Sequence, residues 1–141
     1  MGSVTLAQAD RIIEGALEYG KITGTSPLTV AVLDAGGHLV ALKRQDNSGI
    51  LRPEIAIGKA YGALGFGFGS RGLADKNPAF LAAVSAASGG RLVPVPGGVL
   101  ICDGAAIIGA AGISGDISVV DETAAVSGIE GAGLIADTGE E

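Results

Sequence analysis

Two hydrophobic periods alternate along the chain. Leu6, Ala9, Ile12, Ile13, Ala16 and Leu17 recur at helical spacing behind Thr5 and Gln8, a T-x-x-Q capping box, and predict a helix over about 6–19 ended near Gly20. The period then shortens. "PLTVAVLD" and "HLVALKR" are β-branched and apolar runs on either side of Asp34-Ala35-Gly36-Gly37, turn chemistry that predicts a β-hairpin with His38 at the head of its second strand. "RPEIAIGKAYGALGFGFG" opens a central helix with Pro53 suited to the first turn, and "KNPAFLAAVSAAS" reads as a further short helix. In "RLVPVPGGVLICDGAAIIGAAGISG" the Asp103-Gly104 pair predicts a second hairpin, with Pro94 and Pro96 in the loop leading into it or at an edge. "SVVDETAAVSGIEGAGLIAD" begins with Ser118 and Asp121 in S-x-x-D capping spacing and predicts a closing helix, after which the chain beyond Ala136 reads as a frayed tail.

Helix, hairpin, helices, hairpin, helix is the order of an α+β domain. Hairpin-joined strands pair antiparallel, so one central antiparallel sheet of about 4–5 strands with helices on its faces is expected, as a single domain over residues 1–141. Within the central helix Gly58, Gly62 and Gly65 share a face. Each costs a helix ~1 kcal/mol relative to alanine, so either a neighbouring element packs closely there, the plainer reading, or a ligand does.

Composition narrows the function. Twenty-five glycines, no tryptophan and 4% aromatics leave few stacking platforms, and a net charge of -6 supplies no basic stripe, so nucleic acid is excluded as a partner. No run approaches a membrane span, the start lacks a signal-peptide pattern, and Leu6 stands where a myristoylation start wants Ser or Thr. Cys102 has no second cysteine to pair with. A cytoplasmic location follows as the expectation. No zinc motif, P-loop, dinucleotide fingerprint or nucleophile elbow is present, so no metal site is expected and nucleotide binding is weakly supported. A chain that is 48% hydrophobic with glycine-faced helices is expected to cover apolar surface against its own copy, as a dimer or higher homo-oligomer.

The candidate chemistry is sparse. His38 is the single histidine, either a ligand group or a partly exposed strand residue. Lys59 stands among Ile55, Ala56, Ile57, Gly58, Ala60 and Tyr61, and burial there would push its amine toward the neutral form, fit to act as a base, an imine-forming nucleophile or an anion clamp. An ion pair to an acid on another element explains it equally. The acids in view are Asp34, whose plain role is to cap the turn, Asp46, and Asp121 with Glu122 in the first turn of the closing helix. The loops "PVPGGV" and "GISGD", with Pro96, Gly97, Gly98 and Ser114, expose backbone N–H groups that could cradle a carboxylate or phosphate, with Arg52 orienting it.

Five separated segments, "AVLDAGGHLVALKRQD", "IAIGKA", "VPGGVLI", "IIGAAGISG" and "VDETAAVSGIE", occur in the order found in the GlcG/HbpS family, which the chain resembles over roughly residues 5–135. That family includes secreted heme-binding members and the C-terminal domain of PduO-type proteins. The resemblance implies a profilin-like sandwich, assembly into dimers or larger symmetric oligomers, possible octamers among them, and heme as the suggested cofactor. Lys59-Ala60 and Asp121-Glu122 match the family's pairs at these places. The E-x-x-E pair of secreted iron-binding relatives is absent, Glu14 and Glu18 being one residue too far apart.

Two functions are carried forward. One is a small-ligand-binding protein, heme foremost, with its pocket between the central helix and the loops around Gly36 to His38 and Pro96 to Gly98. The other is a small cytoplasmic enzyme, a lyase, deaminase or isomerase acting on an anionic catabolic metabolite, with Lys59 and Asp121 or Glu122 as acid/base or clamp.

Overall fold

The computed structural model describes residues 2–140. Helix α1 (Leu6–Thr23) is followed by the hairpin β1 (Thr29–Asp34) and β2 (Leu39–Arg44), the central helix α2 (Arg52–Phe66), a 3₁₀ turn at Ser70–Leu73 and helix α3 (Pro78–Ala87). A second hairpin, β3 (Gly98–Asp103) and β4 (Ala106–Ser114), leads to α4 (Ser118–Gly131) and a short strand β5 (Ile135–Asp137). The five strands form one sheet in the order β2-β1-β4-β3-β5, and every neighbouring pair is antiparallel. The α+β class and the sheet with helices on both faces agree with the hydrophobic pattern.

Three boundaries differ from the pattern, each for a local reason. Helix α1 runs on through Gly20 to Gly24, whose left-handed backbone caps it with an N–H donated to Gly20 O, and a Cβ at Gly20 would stand 2.9 Å from Thr25 Oγ1 and 3.0 Å from Leu28 Cδ1. This glycine is there for packing. Helix α4 is not capped by Ser118: Ile117 is the capping residue, and the Asp121 carboxylate instead accepts from the Asp116 N–H at 2.9 Å. The chain beyond Ala136 is not frayed throughout, since Ile135–Asp137 pairs with Leu100 to Cys102 as the edge strand.

Alternation along the strands sorts the core into two layers. Val30, Val32, Val99, Ile101, Ala111 and Ile113 face α1 and α4. Leu33, Leu100 and Ala110 face α2, joined by its Ala60 and Ala63. Small residues set the spacing: a Cβ at Gly112 would fall 1.9 Å from Ala56 O, and one at Gly98 2.1 Å from Lys59 O. Helix α2 therefore lies with its backbone almost on the sheet.

Candidate functional site

The antiparallel register fixes which loops can meet. Thr29 pairs with Ser114 at one end of β1 and Asp34 with Gly109 at the other, while Gly98 pairs with Gly112 beside the Ser114 end. Six strand residues separate the two ends by roughly 16–20 Å. The expected single pocket is therefore divided. Arg52, Lys59, Pro96, Gly97, Gly98, Ser114 and Asp121 gather at the Ser114 end, and His38 stands at the other.

At the Ser114 end the charges are already partnered. Lys59 Nζ donates to Asp121 Oδ2 at 3.1 Å and to the Ile113 carbonyl at 2.8 Å, with both side chains almost sealed from solvent. Gly97 closes over the amine, its φ of 124° lying outside the range side chains favour and a Cβ there reaching Lys59 Nζ at 2.8 Å. Burial pushes the Lys59 amine down and the Asp121 carboxyl up, and the mutual ion pair opposes both shifts. Glu122 is clamped by Arg71, a residue the sequence reading did not single out, through Nη2 to Oε1 at 2.7 Å and Nε to Oε2 at 2.9 Å. Lys59, Asp121 and Glu122 thus take the ion-pair role that the sequence left open beside the catalytic one.

The loop residues are similarly engaged. The Gly98 N–H donates to Ser70 Oγ at 2.8 Å, whose hydroxyl donates to the Val95 carbonyl at 2.6 Å, so the strap through Pro96 is tied to the 3₁₀ turn. Arg52 Nη1 donates to the buried Ser114 Oγ at 2.9 Å, which fixes the start of α2 to the end of β4.

His38 is the exception. It lies just before β2 rather than within it, and its side chain is 81% exposed. Its Nδ1 is 3.1 Å from Asp34 Oδ1, which also accepts from the N–H groups of His38 at 2.9 Å and Gly36 at 3.0 Å. These N–H donors hold the Asp34 carboxyl below the usual aspartate range. The turn-capping role of Asp34 and an imidazole-orienting role are performed by the same oxygen.

Beside this turn, a Cβ at Gly37 would stand 2.8 Å from the Tyr61 ring. Tyr61 in turn lines a slot of about 160 Å³ with Gly65, Phe66, Val84, Ser88 and Arg91. Arg91 lies over the Tyr61 ring at 4.3 Å. The glycine face of α2 is divided in use: Gly58 is filled by Val93 and Gly62 by Leu92, while Gly65 has nothing within 4 Å and leaves the slot open. Tyr61 and Arg91 were not legible as a pair, since thirty positions separate them and no spacing rule joins them. No group of three or more His, Cys, Asp or Glu able to hold a metal ion occurs among the described residues.

An open antiparallel sheet with helices on both faces, and glycines that seat the central helix against it, defines a profilin-like α+β domain. The chain belongs to the HbpS-like family: residues 4–130 match its model, described as haem degrading protein HbpS-like. An uncharacterized 15.0 kDa protein of Citrobacter freundii, from the dhaT-dhaS intergenic region, is 27% identical over 117 residues that cover 82% of each chain. The PduOC:heme complex superposes with a TM-score of 0.85 at 22% identity, covering 94% of this chain and 96% of that one. A double mutant of Streptomyces reticuli HbpS gives 0.79 at 24% identity, over 92% and 87%. At these identities the structural likenesses establish the fold alone. No helix among the described residues is long and apolar enough to cross a membrane.

Proposed function

We propose that this protein binds a small ligand in the manner of its heme-binding relatives, that the ligand is heme, and that His38 is the residue that holds the iron. The observation that carries the reading is the Asp34–His38 contact. With Nδ1 engaged by a carboxylate, the outward Nε2 is left as the free donor of an oriented imidazole, the arrangement found behind metal-bound histidines. Support comes also from the family to which the chain belongs and from the heme held by one structural relative.

Tyr61, which abuts the Gly37 turn next to His38, lines a slot that fits part of such a ligand. Tyr61 and Phe66 offer an apolar wall, Gly65 an open floor, and the Arg91 guanidinium a cation for a propionate. The slot is smaller than the ~300 Å³ of a site that encloses a drug-sized ligand. It takes one edge of the macrocycle, and the remaining face is left to solvent or to a second copy in the expected homo-oligomer. Heme, when bound, supplies the iron chemistry; the chain supplies an axial donor, an orienting carboxylate and an apolar edge. A reducing, cytoplasmic setting suits the single Cys102.

Titrating the purified protein with hemin and following the Soret band tests this. A saturable change of one heme per chain is expected, lost in His38→Ala and weakened ~10- to 100-fold in Asp34→Asn, the range for removing an outer partner of a ligating histidine. An unsaturable titration, or one that His38→Ala leaves unchanged, overturns it.

A further inference from the structure

At the Ser114 end of the sheet a cavity of about 590 Å³ opens between the last turns of α1, the loop 24–27 and the segment 44–46 that ends β2. Arg44 pairs with Thr29 and Thr29 with Ser114, so the length of β1 separates this cavity from the His38 turn. Its volume lies within the ~300–1,000 Å³ of small-molecule sites. The polar groups on its wall are mostly unengaged. Lys21 and Arg44, two of only nine cations in a chain of net charge -6, both line it, and neither enters an ion pair among the described residues. Lys21 also complements the dipole of α1 from its last turn, but Arg44 comes from a different element and has no such duty. Arg44 Nη1 donates to the Ser48 carbonyl at 2.7 Å, which steadies the guanidinium and leaves the rest of its fork free. Gln45 is held from two sides: its Oε1 accepts from the Leu28 N–H at 2.6 Å, and its own N–H donates to the Leu28 carbonyl at 2.9 Å. Its Nε2 is thereby oriented and has no partner among the described residues. Asp46 is the one carboxylate on the wall, exposed and likewise unpaired.

We propose that this cavity binds a sugar phosphate, with the phosphate taken by Lys21 and Arg44 and the sugar hydroxyls by Gln45 and Asp46. Acids outnumber cations over the chain, so a wall on which cations outnumber acids marks a place where an anion is drawn in. Two cations match a phosphate monoester, whose charge is about -1.5 to -2 at pH 7. A guanidinium binds such a group through paired N–H···O bonds, and an ammonium as a point charge. Asp46 would repel a ligand that is anionic throughout. A carboxylate only accepts, so Asp46 requires a ligand that brings O–H donors as well, and Gln45 Nε2 donates to the oxygens of those hydroxyls. No aromatic residue lines the cavity, so a nucleotide base finds no face on which to stack. Leu17 and Pro27 add only a small apolar surface, which suits a hydroxylated skeleton better than an acyl chain.

The site does not rest on the ligand reading at His38, and hemin titration of the variants below is expected to match that of the parent. Isothermal titration of the intact chain with glucose 6-phosphate, fructose 6-phosphate and ribose 5-phosphate, in buffered potassium chloride, tests it. At least one of the three is expected to bind saturably, one per chain, with inorganic phosphate and free glucose each weaker by about tenfold or more, since each lacks half of the hydrogen bonds. Lys21→Gln and Arg44→Gln are each expected to weaken that binding by about tenfold or more, the scale of a lost bond to a charged group. Arg44→Lys should fall between the parent and Arg44→Gln, because it keeps the charge and loses the fork. Asp46→Asn is expected to weaken the sugar phosphate and not inorganic phosphate. Lys21 and Asp46 are exposed, so their variants keep the fold. No saturable binding of any of the three probes, or binding that Lys21→Gln and Arg44→Gln both leave unchanged, overturns the proposal. Inorganic phosphate bound as tightly as the sugar phosphates reduces the site to general attraction of anions and overturns it likewise.

Discussion

At the scale of single residues, Lys59 separates a structural from a chemical reading most sharply. Its amine makes two hydrogen bonds within the protein, one to Asp121 and one to Ile113 O, and is sealed by Gly97. Breaking a buried pair by removing one member leaves an uncompensated charge and typically costs ~3 to 5 kcal/mol. Lys59→Met is therefore expected to lower unfolding free energy by that order in urea denaturation, with hemin binding at low temperature unaffected. A Lys59→Met protein as stable as the parent would remove the pair from the list of what holds α2, β4 and α4 together. This pairing was only half legible in the sequence. The apolar company of Lys59 showed that it would be buried, and the first-turn position of Asp121 showed a helix start, but 62 positions separate them and only the antiparallel register joins them. His38 went the other way: its Gly-Gly turn and Asp34 were readable locally, because the contacts that orient it span four residues or fewer.

At the scale of elements, what local periodicity determines was readable and what long-range packing determines was not. Both hairpins were visible because β-branched runs flank turn residues, and Gly104 indeed takes the left-handed conformation at φ 61°. β5 was invisible because three residues cannot establish a period, and its strand exists only by pairing with β3. The glycines of α2 and the sheet give a graded test of close packing. Gly112 admits no Cβ, since Ala56 O occupies the position, so Gly112→Ala must lift α2 and is expected to cost ~1 to 3 kcal/mol or more as an overpacked contact. Gly65 has no neighbour within 4 Å and lies in the helix, so Gly65→Ala is expected to stabilise by up to ~1 kcal/mol through helix propensity alone. Thermal or urea unfolding of the two variants should move in opposite directions; equal shifts would show that the helix is not seated on the sheet as described.

At the scale of the whole molecule, stability is distributed unevenly. Strands β1, β4 and β3 are each paired on both sides and covered by helices on both faces, so their backbone groups are protected until the domain opens as a whole. Helix α3 leans on the rest chiefly through Leu81 and Val84, is flanked by a groove of about 330 Å³ on one side and the slot lined by Tyr61 on the other, and is joined to β3 through the left-handed Gly89 and Gly90. Few buried contacts and a largely exposed surface place it at the low end of local stability. Hydrogen exchange on dilute protein is therefore expected to show α3 amides opening locally, at a free energy well below that of β4, and limited proteolysis to cut first between Asp75 and Arg91. Protection in α3 equal to that of β4 would mean that the helix is held as firmly as the sheet, and the contrast between a rigid two-layer core and a loosely attached helix would have to be given up.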